Sequence, residues 1–387
     1  MVELSLLMLL KTTGLEYDDR VRKESLTLKK KIDDIFISVL RQDNKKMREK
    51  TSYGISFEAI SLFTRKFFSH KKFLFLKLIE MYVKFLIIVF KRKPNIVWIH
   101  NQEMMGLLPI LYLLREIGFI KKIIWDQHEL LNESYIDNNI KKEILKLLFY
   151  IPDQIIVANE ERYNYYLDNF NNNYENKIHI IHNYADKKFE NSNSKDLPFE
   201  IKKWLGGKSY ILAQGGANKN RYIEEMIEAI IKMGKYKLIV VGPYNKEIFN
   251  LINKNHSCNI YDYIYFTGMI PQMEMIDYID NAKASMIFYK NTKLNSKYCE
   301  PNRLYQAIIR GLPVIVGENP PMRNLVKKYN NGIVLNSDGN NKDDIIEALV
   351  KLNKNYIRYK NNANECKNKF SWEVQENVIF DLFDLNE

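Results

Sequence analysis

The chain has 387 residues, which is more than one hydrophobic core usually serves, so two domains are expected. A hydrophobic fraction of 46% excludes a chain too polar to build a core, and a charged fraction of 27% is ordinary. The net charge of +11 is concentrated between Arg41 and Pro94, where there are 14 Lys or Arg and 4 Asp or Glu. A basic region this local implies an anionic partner, either nucleic acid or an acidic membrane surface.

The cysteine content and the first residues of the chain are informative about the cellular compartment of the protein. Cys258, Cys299 and Cys366 are odd in number and lack the spacing of metal ligands, which indicates reduced thiols in a cytosolic protein. No signal peptide is predicted, because the first apolar run continues directly into the polar segment KTTGLEYDDR.

Short apolar runs alternate with segments of helical periodicity in both halves of the chain. The predicted strands of the first half are residues 5–10, 35–39, 96–99, 123–125, 155–158 and 178–181. Those of the second half are residues 210–213, 238–241, 264–266, 285–289, 313–316 and 333–335. Strands and helices in alternation imply parallel sheets that are covered on both faces.

The segment between the two series, residues 187–203, is polar, poor in apolar residues and contains a proline, so it is predicted to be a linker. The fold class is therefore α/β, with two doubly wound, Rossmann-like parallel-sheet domains facing a central cleft. Residues 1–186 form the first domain and residues 204–370 the second. Ligands of such sheets bind beyond the carboxyl ends of the strands, so the loops that follow strands are the candidate sites.

The turn after the strand at 210–213 suits a phosphate group. Gly215 and Gly216 allow close backbone approach, and Lys219 and Arg221 stand where the next helix is predicted to begin. Free N–H groups, the positive end of a helix dipole and cations together favour an anion, although an ordinary tight turn has the same pattern. The sequence has no G-x-G-x-x-G and no Walker A lysine, which argues against NAD or P-loop chemistry.

A second segment, CEPNRLYQAIIRGLPVIVG at 299–317, reads as a short helix that returns to a strand. Pro301 suits its start, and Gly311 suits the residue just past its end. A polar stripe at three- and four-residue spacing is formed by Asn302, Arg303, Gln306 and Arg310. Such a stripe is either a solvated face or a face that binds a ligand.

Together these two segments resemble the retaining GT-B glycosyltransferases of family 4 type, the glycosyl transferases group 1. The family carries a glycine turn with a following cation and an E-x7-E region before A-x-x-x-G-x-P-V, and QAIIRGLPV at 306–314 matches the second part. Further similar segments are KTTGLEYDDRVRKES, WDQHEL, HNYAD and FSWEVQENV. The resemblance implies the GT-B fold, with a last helix in residues 371–387 that crosses back to the first domain.

The resemblance also implies roles for individual residues. The reacting sugar would meet His128, Asp126 and Glu300 as catalytic residues, with Asp126, His128 and Glu129 as alternatives for the side chain that faces the donor. The predicted donor phosphate ligands are Gly215, Gly216, Arg221, Arg303 and Gly14. The predicted nucleoside contacts are Gln306, Gly268, Met269 and Ile270, and the motif loop near the sugar is Tyr298, Pro301 and Asn302.

This sequence departs from the family pattern at both glutamates, which fall on Tyr298 and Gln306, while Glu300 lies two residues after the first position. An amide still hydrogen-bonds a ribose diol, but without charge assistance. Fixed arginines and a helix N-terminus stabilise a leaving nucleoside diphosphate without a metal, and no D-x-D pair stands at a strand end. We therefore expect no metal and no cofactor beyond the nucleotide-sugar substrate.

The basic segment contains FLFLKLIEMYVKFLIIVF at 73–90, whose length is close to that of a membrane span. Lys77, Glu80 and Lys84 interrupt it on one side, and three charges near mid-membrane would be costly. Two interpretations remain: a core helix of the first domain, or an amphipathic helix that rests on an anionic membrane surface through residues 65–93.

The sequence thus predicts a hexosyl- or N-acetylhexosaminyl-transferase that uses a nucleotide-sugar donor, with UDP-sugars favoured. The expected acceptor is a surface glycan or lipid-linked saccharide, such as bacterial lipopolysaccharide or capsule, at the inner face of the cytoplasmic membrane. No nucleic-acid partner is expected, because the aromatic residues of the basic segment lie on the apolar face of a helix. The alternatives are a GT-B nucleotide-sugar epimerase or hydrolase and a catalytically silent GT-B binding subunit.

Overall fold

The computed structural model describes residues 4–12, 14–41, 47–68, 72–170 and 173–385, apart from the side chain of Asn255. The chain divides into two compact units. The first comprises Met1–His182 and Gln375–Glu387, and the second comprises Asn183–Val374. The predicted α/β class with two parallel-sheet domains is confirmed.

The first unit contains an eight-stranded sheet within the described residues, in the order β3-β4-β2-β1-β5-β6-β7-β8. Its strands are β1 Ser5–Thr12, β2 Asp34–Arg41, β3 Met47–Lys50, β4 Ser56–Ile60, β5 Ile96–His100, β6 Lys122–Gln127, β7 Gln154–Val157 and β8 Ile178–Ile180. All neighbouring strands are parallel except β3, which pairs antiparallel with β4. The runs predicted from the sequence correspond to β1, β2, β5, β6, β7 and β8, and all of these except the edge strand β8 are largely buried on both faces.

Helices connect these strands. They are α1 Asp19–Lys29, α2 Thr64–Phe67, α3 Leu74–Arg92, α4 Leu108–Glu116, α5 Asn139–Tyr150 and α6 Glu160–Phe170, with α16 Glu376–Leu382 from the end of the chain. The last helix contacts α1, where Lys30 Nζ lies 2.6 Å from Glu376 Oε1. The assignment of Gln375–Glu387 to the first unit agrees with the expectation that the terminal helix returns there.

Two strands, β3 and β4, were not predicted from the sequence. The outer strand β3 reads MREK and is largely exposed at the sheet edge, so it has no apolar run to signal it. Its partner β4 reads SFEAI and alternates between buried and half-buried side chains. Edge strands are commonly short and charged, because an unpaired apolar edge promotes aggregation.

The second unit is a six-stranded parallel sheet within the described residues, in the order β11-β10-β9-β12-β13-β14. Its strands are β9 Tyr210–Gln214, β10 Lys237–Val241, β11 Ile264–Gly268, β12 Ala284–Ile287, β13 Val314–Val316 and β14 Gly332–Val334. Its helices are α7 Lys187–Asn191, α8 Phe199–Leu205, α9 Ile223–Met233, α10 Lys246–Asn255, α11 Met275–Asp280, α12 Leu294–Lys297, α13 Asn302–Ile309, α14 Pro320–Tyr329 and α15 Lys342–Cys366. Two apolar clusters are built on alternate residues of the strands, as in Leu212 and Ile211 of β9.

The segment predicted as a linker is instead part of the second unit. Residues 187–203 contain α7 and most of α8. Phe189, Leu197 and Ile201 are buried in the same apolar cluster as α13. The polar composition of this segment reflects its solvent-facing residues, while its three spaced apolar side chains provide the packing.

Helix α3 is unusual because apolar side chains line its exposed side as well as its buried side. Its buried stripe is Lys77, Met81, Phe85, Ile88 and Val89. Its exposed apolar side chains are Leu74, Phe75, Leu76, Leu78, Ile79, Val83, Ile87 and Phe90. The charges that interrupt the apolar run therefore face the domain. His70 and Lys71, which belong to the predicted basic flank, lie outside the described residues.

Candidate functional site

The glycine turn after β9 is held by its own backbone. Gly215 and Gly216 have φ values of +92° and +85°, in the left-handed region that favours glycine. Their N–H groups both donate to the carbonyl of Val241, at 2.8 and 2.9 Å, and Ala217 N donates to Pro243 O. These donors were expected to be free for a phosphate, and the structure corrects that expectation: strand β10 already occupies them.

Two arginine side chains lie at the glycine turn, where free backbone donors were expected. Arg303 Nη1 donates to the carbonyl of Gln214 at 2.6 Å, and Arg221 Nη1 donates to the carbonyl of Gly215. An added Cβ on Gly215 would overlap the Nη1 atoms of both arginines. Among the described residues, neither guanidinium has an ion pair with a carboxylate. Two neighbouring guanidinium groups whose hydrogen bonds go to carbonyl oxygens are suited to an anion with more than one charge.

Tyr289, which follows β12, lies beside this pair. Its ring centroid is 4.6 Å from the Arg303 guanidinium and 5.5 Å from that of Arg221. Burial and the neighbouring Arg303 lower the pKa of Arg221 to about 10. The repulsion between the two guanidinium groups is therefore relieved by the aromatic ring and not by an acid, which leaves the cationic charge for a ligand.

The start of the next helix differs from the prediction. Lys219 and Arg221 lie in a short 3₁₀ turn, and α9 begins only at Ile223. Asn218 caps this turn by accepting a hydrogen bond from Asn220 N, and Tyr222 adopts a left-handed conformation before the helix. Arg221 thus reaches the glycine turn through its side chain, while the N-terminus of α9 starts farther along.

Helix α13 presents one end of its polar stripe to the same place. Gln306 Oε1 accepts a hydrogen bond from Gln214 Nε2 at 3.2 Å, and both side chains are buried. The Nε atom of Arg303 is buried without a hydrogen-bond partner, as is the Oε1 atom of Gln214. Buried donors and acceptors that lie close together and lack hydrogen-bond partners indicate polar groups that a ligand can bind.

The other end of the stripe has a structural role. Arg310 makes a bidentate ion pair with Asp280 and donates to the carbonyls of Phe189, Glu190 and Ser192. It therefore ties α13 to α11 and to the segment around α7. Neither of the two interpretations of the stripe, a solvated face or a ligand-binding face, holds at Arg310, because helical spacing alone does not tell which polar side chains contact a neighbouring segment.

The motif loop before α13 is half-buried. Pro301 is the residue immediately before the helix, and Asn302 is its first residue, where its Oδ1 accepts a hydrogen bond from Asn183 Nδ2 at 2.6 Å. Tyr298 ends the short helix α12, and Glu300 lies in the connection between the two helices. All four side chains are half-buried, and their predicted contacts with a sugar stay predictions.

The loop predicted to meet the nucleobase follows β11. Gly268 has φ +73°, and its carbonyl accepts a hydrogen bond from Gly242 N at 2.8 Å. Met269 is exposed and Ile270 packs against the apolar cluster. Within the described residues the N–H groups of Met269 and Ile270 have no backbone acceptor, so they are available to a base.

The first unit has its own polar centre at the carboxyl ends of its strands. Arg20 of α1 makes a bidentate contact with Asp126 of β6, through Nε and Nη2 at 3.0 Å each. Its Nε atom also lies 2.9 Å from Glu24 Oε1, and its Nη1 donates to Ile181 O at 2.8 Å. All three ionisable side chains are buried. Asp126, predicted as catalytic, is thus held by an arginine in the interior.

His128 is the member of this centre that reaches solvent, with 17% of its side chain exposed. Its Nε2 lies 3.1 Å from His100 Nδ1 and 3.3 Å from Asp126 Oδ2, and its carbonyl accepts from Arg162. Glu129 is exposed on the other side of the turn. Gly14 lies at the end of β1 in extended conformation, with φ −166°. Of Asp126, His128 and Glu129, His128 is the one that is both part of this centre and partly exposed, and the choice of the donor-facing side chain stays a prediction.

Burial and charge set the protonation of this centre. Burial acts to raise the pKa of Asp126, but Arg20 and His128 outweigh it and hold that pKa well below its usual range. Burial and the Asp126 carboxylate raise the pKa of Glu24 well above its usual value. Burial and His128 lower the pKa of His100. Burial and charge therefore favour the ionised form of Asp126 and disfavour the charged forms of Glu24 and His100.

The same side chains have the composition of a metal site. One ligand atom each of Glu24, His100, Asp126 and His128 lies within 4.8 Å of the others. Arg20, however, already contacts both carboxylates and neutralises the ionised Asp126. The absence of a metal requirement therefore stays a prediction, with arginine supplying the positive charge of this centre.

Several residues of these sites had no sequence prediction. Gln214 and Tyr289 stand at the ends of β9 and β12, where the rule that ligands bind beyond strand ends would have singled them out. Arg20 and Glu24 have the helical spacing of an ion pair. Their link to Asp126 spans 106 positions and has no local signal.

Comparison with known proteins gives consistent results. Residues 194–369 match the family model of glycosyl transferases group 1. No curated protein matches the sequence. Sucrose-phosphate synthase from Thermosynechococcus elongatus has a similar structure, with a TM-score of 0.72 and 14% identity over 98% of each chain. HepE of Anabaena, solved with UDP, is similar with a TM-score of 0.70 and 11% identity over 98% of this chain and 100% of that one.

A structure titled trehalose-6-phosphate from E. coli, bound with UDP-2-fluoro glucose, has a TM-score of 0.70 and 11% identity over 98% of this chain and 99% of that one. At these identities the structural neighbours establish the fold alone. The chain has the fold of GT-B glycosyltransferases, and its residues 194–369, within the second unit, match the family model of glycosyl transferases group 1.

Proposed function

We propose that this protein is a retaining glycosyltransferase that uses a UDP-sugar and glycosylates a saccharide acceptor at a membrane surface. The observation that carries the proposal is the arginine pair over the glycine turn. Arg221 and Arg303 are close, cationic and paired with no carboxylate among the described residues. Two of the similar structures contain UDP or UDP-2-fluoro glucose, which supports a uridine donor.

The chemistry assigns a task to each group. The bond between the anomeric carbon and the diphosphate oxygen breaks, and the diphosphate takes the electron pair. An acceptor hydroxyl bonds to that carbon and its proton passes to the departing diphosphate. Arg221 and Arg303 stabilise the charge that develops on the diphosphate, which is the task a metal performs in other enzymes.

The remaining donor contacts are proposed from the same geometry. Gln306, held by Gln214, hydrogen-bonds the ribose, and the N–H groups of Met269 and Ile270 read the base. In the first unit, His128 contacts the transferred sugar, and Asp126 and Arg20 hold the imidazole in place. Glu300 is the proposed sugar contact of the motif loop.

The membrane association rests on α3. A solvated helix normally turns its charged face outward, whereas α3 exposes eight apolar side chains and ends in the exposed cations Lys91, Arg92 and Lys93. No helix in the described part of the chain is both long enough and apolar enough to span a bilayer. A peripheral contact of α3 with an anionic leaflet, at the cytoplasmic face, fits this combination of apolar surface and positive charge.

Calorimetry with UDP and GDP, in the absence of divalent metal, tests the donor site. Micromolar binding of UDP that is lost in Arg221→Ala is the expected result. Binding of GDP alone would transfer the proposal to guanosine donors. Binding of neither nucleotide, by protein that is folded and reconstituted on anionic vesicles, would overturn it in favour of a silent GT-B subunit.

A further inference from the structure

The loop after β14, residues 335–341, packs closely against the ends of two neighbouring strands. A Cβ added to Gly317, the residue after β13, would lie 2.6 Å from the carbonyl oxygen of Asp338. Gly339 has φ +115°, and a Cβ there would lie 2.7 Å from the ring of Phe288, the residue after β12. A side chain at either glycine would displace this loop. The backbone packing therefore fixes the place of Asp338.

One carboxylate oxygen of Asp338 accepts hydrogen bonds from two separate loops. The Tyr222 hydroxyl donates to Asp338 Oδ2 at 2.7 Å, and the backbone N–H of Asn291 donates to the same atom at 2.9 Å. The other oxygen, Oδ1, is buried and has no hydrogen-bond partner among the described residues. Asp338 is thus an acceptor shared by the connections that follow β9 and β12.

The first of these loops carries Arg221, which directly precedes Tyr222 in the chain. The φ of Tyr222 is +54°, in the left-handed region that is rare for a residue with a bulky side chain. Such a conformation persists only where the surrounding contacts enforce it. The Tyr222 ring is buried in an apolar cluster with α9, and its hydroxyl is held by Asp338. Because Arg221 and Tyr222 share a peptide unit, the contacts that fix Tyr222 also fix the direction in which the Arg221 side chain leaves the backbone.

The second loop carries Tyr289, whose ring centroid lies 4.6 and 5.5 Å from the two guanidinium groups of the donor site. The N–H that donates to Asp338 belongs to the residue two positions later. Between them, the backbone N–H of Lys290 donates to Asn220 O at 2.9 Å, which joins this loop directly to the 3₁₀ turn of Arg221. The carboxylate of Asp338 therefore holds together the two loops that supply the first arginine and the aromatic ring beside it.

We propose that Asp338 is a positioning residue of the donor site. It orients Arg221 through the hydrogen bond from Tyr222, and it orients Tyr289 through the hydrogen bond from the N–H of Asn291. This inference rests on the proposed function, because its effect is on the diphosphate that the arginines bind. An acid near a site for an anion opposes binding by its charge, so the two hydrogen bonds that it accepts are what Asp338 contributes.

Tyr222→Phe is the sharpest test, because it removes the hydroxyl and keeps the buried ring. We expect the affinity for UDP, measured by calorimetry, to fall about fivefold, the factor typical of one lost hydrogen bond. Tyr236→Phe is the matched control: Tyr236 is buried in the same apolar cluster, and its hydroxyl lies 3.4 Å from Asn353 Oδ1. The control should change the affinity less than twofold. An unchanged affinity in Tyr222→Phe, or an equal fall in the control, would overturn the inference.

Asp338→Ala removes the acceptor from both loops, and the affinity for UDP should fall about tenfold or more. The loss of a negative charge alone would have the opposite sign and would favour the anion. Asp338→Asn keeps an oxygen that accepts both hydrogen bonds and places its NH₂ group where Oδ1 makes none, so its affinity should stay within about threefold of the wild type. An Asn variant as weak as the Ala variant, or an Ala variant as tight as the wild type, would contradict the positioning role.

Asp343→Ala is the control for the removal of an acid near this loop. Asp343 forms an exposed ion pair with Lys232 at 3.0 Å, and exposed pairs contribute little. The control should leave the affinity for UDP unchanged. A loss as large as that in Asp338→Ala would show a general effect of charge or stability and would refute the inference. Thermal melting without UDP reports the stability of every variant separately from its affinity.

A double-mutant cycle separates positioning from a general contribution to the fold. Because the Tyr222 hydroxyl is proposed to act through Arg221, Tyr222→Phe should reduce the affinity for UDP less than twofold further when Arg221→Met is already present. A full additional fivefold loss would sink the inference, because the two effects would then be independent.

The Arg221→Met protein also separates this inference from the proposed function. If Arg221→Met lowers the affinity for UDP and Tyr222→Phe does not, the donor site stands and the positioning role of Asp338 fails. If the wild type and Arg221→Met bind UDP equally, or neither binds it, the donor site itself fails, and the positioning role fails with it.

Discussion

Arg221 and Arg303 share the space above Gly215, where one added methyl group would overlap both guanidinium groups. The backbone N–H groups of that turn are bonded to Val241 and are not available to a ligand. The protein therefore places side-chain cations where a helix N-terminus or free amides would bind phosphate in other folds. This arrangement costs stability without a ligand, because two like charges lie together in a partly buried place.

Arg221→Met and Arg303→Met should each reduce UDP affinity by about tenfold or more, since a hydrogen bond to a charged group contributes about 1.5–3 kcal/mol. Without UDP, the Arg221→Met protein should melt at the same or a higher temperature, because the repulsion is gone. Thermal melting with and without UDP measures both effects. Lys219→Met, an exposed cation of the same turn, is the control and should change the affinity less than threefold. A loss of UDP affinity in Lys219→Met as large as that in Arg221→Met would contradict the assignment of the two arginines as the UDP site.

Gly215→Ala should both destabilise the protein and abolish UDP binding. Alanine is strained at φ +92°, and its Cβ displaces both arginines. Gly234→Ala is the matched control, since Gly234 also has a positive φ, of 66°, but has open space around its Cα. The control should lose about 1 kcal/mol of unfolding free energy through strain alone. Urea unfolding and UDP calorimetry separate strain from displacement, and a Gly215→Ala protein with normal UDP affinity would refute the arrangement.

Arg310→Ala should lower the free energy of unfolding with little change in UDP affinity. Arg310 contacts Asp280 and three backbone carbonyls, and removing it leaves those groups partly buried without a donor. A loss of about 3 kcal/mol is expected for a buried pair broken at one partner. Arg303→Met on the same helix should instead lower the UDP affinity with little change in the free energy of unfolding. Urea unfolding gives the first quantity and calorimetry the second, and a large fall in UDP affinity for Arg310→Ala would return this residue to the ligand site.

The contrast between Arg303 and Arg310 shows what the sequence could and could not reveal. Helical spacing and the Pro301 and Gly311 boundaries predict α13 well, because they depend on local backbone chemistry. The spacing also places both arginines on one side of the helix. Which one meets a ligand depends on Gln214 and on α7, which are distant in the chain, so the local pattern has no information about it.

Local patterns also explain the errors in the fold. The central strands were predicted because both of their faces are buried, while β3 was not predicted because an edge strand needs no apolar run. The segment 187–203 was predicted as a linker because three buried side chains among many polar ones do not form a periodic pattern. The outward apolar face of α3 could not be assigned, because periodicity locates a stripe but not the side that faces the core.

The free energy of unfolding of the Glu24→Gln variant, relative to the wild type, should increase as the pH rises. The folded-state pKa of Glu24 is raised above its ordinary value of 4.5, so its contribution to stability is fully present below that value and is lost as the pH rises toward the folded pKa. Glutamine is neutral at every pH, so the variant does not lose this contribution to stability as the pH rises. In urea unfolding between pH 5 and 9, the difference between variant and wild type should grow by up to about 1.4 kcal/mol per pH unit.

Asp126→Asn should show the opposite dependence. The folded-state pKa of Asp126 is lowered, so its contribution is present above the ordinary value of 3.8 and is lost as the pH falls. At pH 7 the variant should lose about 3–5 kcal/mol, because Arg20 is then buried without its carboxylate. The deficit should stay constant down to about pH 3.8 and shrink only as the pH falls below that value. A deficit that does not change with pH would mean that Asp126 acts through packing alone.

Phe75→Ser together with Ile79→Ser should weaken vesicle binding while leaving the fold intact. Both side chains are exposed, at 72% and 42%, so folding gains little from them, whereas each contributes about 1.5–3 kcal/mol when buried in a bilayer. Phe85→Ser is the contrast on the same helix: Phe85 is fully buried, and its loss should cost about 3–5 kcal/mol of unfolding free energy.

Cosedimentation with vesicles containing phosphatidylglycerol, compared with phosphatidylcholine vesicles, measures this binding. The wild type should bind the anionic vesicles, and binding should weaken as salt screens the cations at the end of α3. The double variant should remain in the supernatant and melt at the wild-type temperature. If it sediments as the wild type does, the apolar face of α3 is not the membrane contact, and the outward orientation of that helix requires a protein partner to cover it.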